Sequence, residues 1–109
     1  MDRGQLFAFS VTSFPFPIQR AISIGNDGGI EPFMKIDIRK RSQDLDEFYH
    51  DAGQFYWGTA KAFLDEEPLY STKSTGVILP RYLVQDIDTL EDWKCAELMY
   101  KALQESQEI

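Results

Sequence analysis

Apolar and polar residues change rhythm several times along this chain, and each change predicts an element. Leu6-Phe7-Ala8-Phe9-Ser10-Val11-Thr12 is apolar at most positions and rich in aromatic and β-branched side chains. Such a run predicts a strand covered on both faces, in the middle of a sheet. Phe14-Pro15-Phe16-Pro17 ends it, because a proline nitrogen has no hydrogen to give a ladder. From Ile18 to Ile24 the residues alternate, with Ile18, Arg20, Ile22 and Ile24 on one face. Asn26-Asp27-Gly28-Gly29 then supplies residues that tolerate positive φ, and Ile30 to Phe33 begins a return. Residues 18–34 therefore predict a hairpin, which needs a surface to pack on because a lone hairpin is unstable in water.

The polar stretch from Ser42 to Tyr49 predicts a turn or a single helical turn. Gln54-Phe55-Tyr56-Trp57 predicts a short strand, and Thr59 to Leu64 a short helix capped by Gly58 or Thr59. Leu69-Tyr70-Ser71 reads as extended after Pro68. Gly76 to Leu79 predicts a strand stopped by Pro80, and Tyr82 to Ile87 is extended again. The last element is the plainest. Thr89-Leu90-Glu91-Asp92 offers a hydroxyl cap with an acid three positions on. Leu90, Trp93, Ala96, Met99 or Tyr100, and Leu103 then recur at helical spacing. A helix is predicted from Leu90 to about Glu105.

Length sets the frame for these elements. The chain has 109 residues, which predicts one domain, 1–109, without room for two. Lys and Arg number 11 and Asp and Glu 18, a net charge of −7. That balance argues against nucleic acid as a partner and against a polybasic membrane-surface role. No apolar stretch approaches a membrane span, and the first residues lack the apolar core of a secretory signal. The single cysteine, Cys95, allows no intramolecular disulfide, so a reducing cytoplasmic location is expected. Its place on the predicted helix reads as packing rather than nucleophilic chemistry.

Three groups of residues could carry chemistry. In an extended Gln85-Asp86-Ile87-Asp88-Thr89, residues two apart point to one side, so Asp86 and Asp88 set two carboxylates side by side. Two such charges disfavour joint ionisation unless a cation sits between them, and oxygen ligands of this kind suit Mg²⁺. The plainer reading is that Asp88 helps start the helix and Asp86 is solvated. Tyr49 to Trp57 combines His50 and Asp51 with two small residues and three aromatics, which suits a pocket wall as well as a turn leading into a core strand. His50 has no second histidine and is expected to be structural. Arg39-Lys40-Arg41 is a basic run in an acidic chain, either a solvated loop or an anion clamp.

Taken in order, several segments resemble one family. They are Phe9 to Phe14, Pro17 to Ala21, Arg41 to Leu45, Tyr49 to Gly58, Ile78 to Tyr82, and Val84 to Lys94 with Ala96-Glu97. The series resembles the carboxy-terminal half of acylneuraminate cytidylyltransferases. The wording Asp51-Ala52-Gly53-Gln54-Phe55-Tyr56-Trp57 looks most like the family's pseudaminic acid branch. The resemblance runs from about Phe7 to Lys101.

It implies an α/β fold, part of the three-layer α/β/α sandwich of nucleotide-diphospho-sugar transferases, with a mostly parallel sheet. It implies transfer of CMP from CTP to a nonulosonic acid, of pseudaminic or sialic type, with release of pyrophosphate. Asp86 and Asp88 match the family's metal-binding aspartates, so the resemblance implies Mg²⁺ there and a catalytic role for both. Asp51 stands where the sialic acid enzymes carry an asparagine near the sugar, which suits a differently substituted sugar. Gln54 belongs to the same motif and is expected to bind substrate. Leu69 and Tyr70 fall at an apolar pair that contacts the sugar in relatives, with Leu69 in place of an aromatic. Arg41 matches an arginine that reaches across a dimer to the partner's site, and Arg20 is a second candidate for that role. The hairpin at 18–34 would be a dimerisation arm in a homodimer.

The family opens with a strand and a basic glycine loop, roughly Ala-Arg-x-Gly-Ser-Lys, that holds the CTP phosphates. No segment here resembles that loop. The expectation is a carboxy-terminal portion, inactive alone, that lacks the cytidine-reading half. Two other readings stand beside it: a non-catalytic dimerisation or regulatory module derived from the enzyme, and a small metal-binding domain resting on the two aspartates.

Overall fold

The structure, a computed structural model, describes residues 4–34 and 45–106. In chain order its strands are β1 (Phe7–Ser13), β2 (Ile22–Ile24), β3 (Ile30–Pro32), β4 (Tyr49–Gly58) and β5 (Ser74–Ile78), and its α-helices are α1 (Ala60–Leu64) and α2 (Leu90–Glu105). The fold is mixed α/β, with a three-stranded sheet in the order β4-β1-β5 and a two-stranded β2-β3 sheet. The chain divides into two compact units, Met1–Thr12 with Asp51–Ile109, and Ser13–His50.

In the first unit β1 is the central strand, as its two-sided apolar pattern predicts. Phe7 and Phe9 are buried on one face and Ser10 and Thr12 on the other. Burying each phenylalanine contributes roughly 1.5–3 kcal/mol. The two hydroxyls stay satisfied: Thr12 donates to the Leu79 carbonyl at 2.7 Å, and Ser10 serves β4. β1 runs parallel to β5, in register from Phe7 opposite Ser74 to Val11 opposite Ile78. β4 runs antiparallel to it, since Thr59 N–H donates to Leu6 while Gln54 N–H donates to Ser10 Oγ.

β4 is longer than Gln54 to Trp57 because it absorbs an irregularity. Gly53 takes φ +70°, a conformation open to glycine and costly for other residues. Ser10 Oγ accepts N–H bonds from both Gln54 and Phe55, at 3.1 and 3.3 Å, and Asp51 Oδ1 accepts Gly53 N–H at 2.8 Å. This is a β-bulge, with side chains standing in for a lost ladder bond.

Three segments expected to be extended bend instead. Ile18–Arg20 and Arg81–Leu83 are short 3₁₀ helices, each entered from a proline, Pro17 and Pro80. Proline fixes φ near the helical value and has no N–H to leave unpaired, so it starts such turns readily. Leu69 to Ser71 is bent, not extended: Ser74 N–H donates to Ser71 O at 3.1 Å and Lys73 N–H to Ser71 Oγ at 3.1 Å. In the second unit the predicted hairpin forms, but shorter, with Ile24 opposite Ile30 and Ile22 opposite Pro32. Ile22, Ile24 and Ile30 are all exposed. The part of the predicted polar turn at 42–44 lies outside the described residues.

α1 and α2 begin where their caps stand. Thr59 Oγ1 accepts Ala62 N–H at 3.1 Å. Thr89 Oγ1 accepts Asp92 N–H at 3.1 Å, and Asp92 Oδ2 accepts Asp88 and Thr89 N–H at 3.0 and 3.1 Å. α2 is held by this reciprocal cap more than by packing, since Trp93 is 56% and Leu90 89% exposed. Thr89→Ala should therefore cost about 0.5–2 kcal/mol, read as lost helicity by circular dichroism. The bonds from Asp88, then from Thr89, hold the Asp92 carboxyl below its ordinary 3.8. That contribution is present above pH 4 and is lost as the pH falls through the lowered value. Unchanged helicity in Thr89→Ala would show that the cap does not support α2.

Candidate functional site

Among the described residues of the first unit, a cross-linked polar cluster gathers on Asp51. Its Oδ2 accepts the Tyr56 hydroxyl at 2.5 Å and the Tyr70 hydroxyl at 3.3 Å. Asp51 and Tyr56 are five positions apart on one strand, an odd spacing that strict alternation would put on opposite faces. The bulge at Gly53 inserts the extra residue that brings them to the same side. Phe9, from the buried central strand, stacks on both phenol rings at 5.7 Å. Both tyrosines remain open to solvent, Tyr56 45% and Tyr70 71% exposed.

The carboxylate holds the phenol protons in place. Tyr56 is pushed up from its ordinary 10 to about 12, first by the hydrogen bond to Asp51, then by burial and by the charges of Asp51 and Asp86. Tyr70 is raised too, first by burial and then by Asp51. Any stability that Tyr56 gains this way is complete below pH 10 and lost as the pH rises through about 12. Asp51→Asn should bring the Tyr56 ionisation back toward 10, read by ultraviolet titration of tyrosinate. A phenol that still ionises near 12 in this variant would mean that Asp51 is not what holds it.

Asp86 and Asp88 lie between the Arg81–Leu83 turn and α2. Hydrogen bonding to the Asp86 carboxyl, then the charge of Asp86, raises Asp88 from its ordinary value. Two carboxylates two residues apart offer oxygen donors of the kind that suit a hard cation keeping waters or phosphate oxygens for its other positions. Among the described residues no cluster of three or more His, Cys, Asp or Glu forms a fuller cage. The Asp86 charge felt at Tyr56 ties this pair electrostatically to the Asp51 cluster.

The other predicted residues divide by location. The Gln54 carboxamide donates to the Leu83 carbonyl at 2.7 Å, which fastens β4 to the turn that leads to Asp86. Leu69 is half-buried and lines a pocket of about 190 Å³ with Phe7, Tyr56, Ala62 and Phe63. Arg20 sits on the 3₁₀ turn of the second unit, as His50, whose ring is 4.9 Å from that of Phe14, belongs to that unit. Arg41, with Arg39 and Lys40, lies outside the described residues. Cys95 is exposed, which corrects its reading as a packed side chain: the helix face it borders is itself uncovered. Sequence reasoning placed Tyr56 among the aromatics of a candidate pocket wall, but missed Phe9 and Ser10 as parts of the site. A glycine inside a strand pattern is the signal that could have paired Tyr56 with Asp51, because it marks a bulge that reverses side-chain parity.

No helix among the described residues is long and apolar enough to cross a membrane. No family model matches the chain. It is 44% identical over 100 residues to the pseudaminic acid cytidylyltransferases of Campylobacter jejuni subsp. jejuni serotypes O:2 and O:23/36, covering 92% of this chain and 43% of each relative. It is 33% identical over 87 residues to a Helicobacter pylori protein, covering 80% of this chain and 17% of that one. That protein is named a pseudaminic acid cytidylyltransferase and UDP-2,4-diacetamido-2,4,6-trideoxy-beta-L-altropyranose hydrolase. The chain thus spans under half the length of the Campylobacter relatives, and over nine-tenths of its own length it is related to a segment of pseudaminic acid cytidylyltransferases.

Proposed function

We propose that the chain is the carboxy-terminal portion of a cytidylyltransferase that transfers CMP from CTP to a nonulosonic acid of the pseudaminic type. The observation that carries this reading is 44% identity over 92% of the chain to enzymes of that name, against 43% of their length. In the reaction the anomeric hydroxyl oxygen bonds to the α-phosphorus of CTP, the bond to the β-phosphate oxygen breaks, and pyrophosphate leaves as the hydroxyl proton is lost. Asp86 and Asp88 would hold Mg²⁺, which when bound supplies charge neutralisation at the phosphates. The Asp51, Tyr56 and Tyr70 wall, with Leu69 and Gln54 beside it, would receive the sugar.

The parallel β1–β5 pair supports a place in a larger three-layer sandwich. Parallel strands are normally covered on both faces by helices, whereas Val77 and Ile78 of β5 are exposed. The exposed isoleucines of the β2–β3 hairpin support a homodimer arm, with Arg20 and Arg41 as candidates to reach a partner's site. On this reading the chain lacks a nucleotide loop and is inactive alone.

The test supplies that loop. The chain is mixed with the complementary amino-terminal portion of a Campylobacter relative, CTP, Mg²⁺ and pseudaminic acid, and pyrophosphate release is followed. The expected result is release by the mixture and none by either part. Turnover by the chain alone would overturn its inactivity. No turnover by a mixture that associates stably would favour the non-catalytic module.

A further inference from the structure

Within the second unit, two stretches of chain, 14–18 and 45–48, are joined twice. Phe14 N–H donates to the Phe48 carbonyl at 3.4 Å, and the Gln19 carboxamide donates to the Asp46 carbonyl at 2.9 Å. The two stretches line a cavity of about 320 Å³, the size of a small ligand pocket. Its lining includes Phe14, Phe16 and Phe48 together with Asp46 and Glu47. The chemistry of that lining is one-sided. Aromatic faces attract cations, the two carboxylates add negative charge, and Pro15 and Pro17, which also line the cavity, bring carbonyl acceptors without N–H donors. Among the described residues no lysine or arginine lines it. Gln19 adds a second sign of the same polarity. It is 7% exposed, its Nε2 is spent on Asp46, and its Oε1 is buried and accepts no hydrogen bond. Buried polar atoms are nearly always paired, so an open acceptor points to a donor that comes from outside the chain.

We propose that this cavity is a docking site for an arginine side chain of a partner protein, with the guanidinium against the phenylalanine rings and paired with Asp46 and Glu47. Charge complementarity selects a cation. An anion would be repelled by both carboxylates, and an apolar side chain would leave the acceptors without donors. Among cations the lining favours a guanidinium over an ammonium. A guanidinium is planar, stacks on aromatic faces, gives up its water more readily and carries five N–H donors. Its alkyl stem is apolar and suits the proline rings. The inference uses the second unit alone and stands or falls apart from the proposed reaction.

The full chain is titrated with N-acetyl-arginine amide, following the ring signals of Phe14, Phe16 and Phe48 and the Gln19 side-chain amide by NMR. These signals are expected to move with a Kd on the order of a millimolar, the scale for a ligand of this size, and the affinity should fall as salt is added. Two control probes should each bind at least about threefold more weakly: N-acetyl-citrulline amide, which has the same shape without the charge, and N-acetyl-lysine amide, which has the charge without the plane. Glu47→Gln and Phe48→Leu should each weaken the arginine probe about two- to fivefold, with unaltered signals from the first unit showing that the fold persists. The probe and salt series use the unaltered chain, so they decide the matter even where a variant fails to fold. Either control binding as tightly as the arginine probe, affinity indifferent to salt, or no movement at about ten times that Kd would each overturn the proposal. Ring signals that shift with protein concentration alone would mean that a second copy fills the cavity, and would overturn it too.

Discussion

Replacing Gly58 by alanine should destabilise the first unit by about 1–3 kcal/mol, the range for forcing extra atoms into a packed core. Gly58 closes β4 under two aromatic rings. A Cβ there would stand 2.5 Å from Phe7 Cδ1 and 2.7 Å from Phe63 Cε2. Phe7 has no room to move, since it is only 2% exposed, and it meets the half-exposed Phe63 edge to face at 5.1 Å. Phe7 lies on the central strand, so displacing it disturbs its ladders with both neighbours. Gly76→Ala is the control: its Cβ would meet Val11 Cγ2 at 3.1 Å, a contact that a shift of a few tenths of an ångström relieves. Urea unfolding followed by tryptophan fluorescence should show a clear drop in midpoint for Gly58→Ala and a small change for Gly76→Ala. Equal midpoints in the two variants would show that the rings above Gly58 are not fixed.

Asp86→Asn and Asp88→Asn should each lower CMP transfer by the assembled two-part enzyme by about 10²–10³-fold, the scale for losing one preorganised charge partner of a transferring group. Each exchange keeps the size of the side chain and removes one negative oxygen of the pair. Asp86 already raises Asp88 from its ordinary value, so either variant also ends their mutual repulsion, and the chain itself should be no less stable. Weaker Mg²⁺ binding by calorimetry, together with a higher Mg²⁺ requirement for turnover, separates loss of a ligand from loss of fold. Unchanged Mg²⁺ dependence in both variants would remove the two aspartates from the reaction.

What was legible in the sequence was local. α2 begins and ends where the cap at Thr89 and the three-to-four spacing put it, because both signals act within a few residues. The two-sided burial of β1 followed from its apolar run. Ile18 to Arg20 misled because alternating polarity also suits a 3₁₀ turn, and Pro17 decided between them. The pairing of Tyr56 with Asp51 was not legible because the irregularity at Gly53 shifts side-chain parity by one residue. The periodicity of α2 marks an apolar face but carries no information about what lies against it.

The position of β1 in its sheet also sets the order in which the chain can fold. Ser10 waits 44 positions for Gln54, and Thr12 waits 67 for Leu79. The extra loop length adds only about 0.4 kcal/mol of closure entropy, so the second pairing is hardly harder than the first. The burden is one of timing. During synthesis β1 is made before either of its neighbours, so its edges stay open until β4 and β5 follow. Open apolar edges are what draw unfinished chains together. The risk of aggregation in this chain therefore lies in the sequence of its strands more than in their composition, and it is greatest before residue 78 has been made.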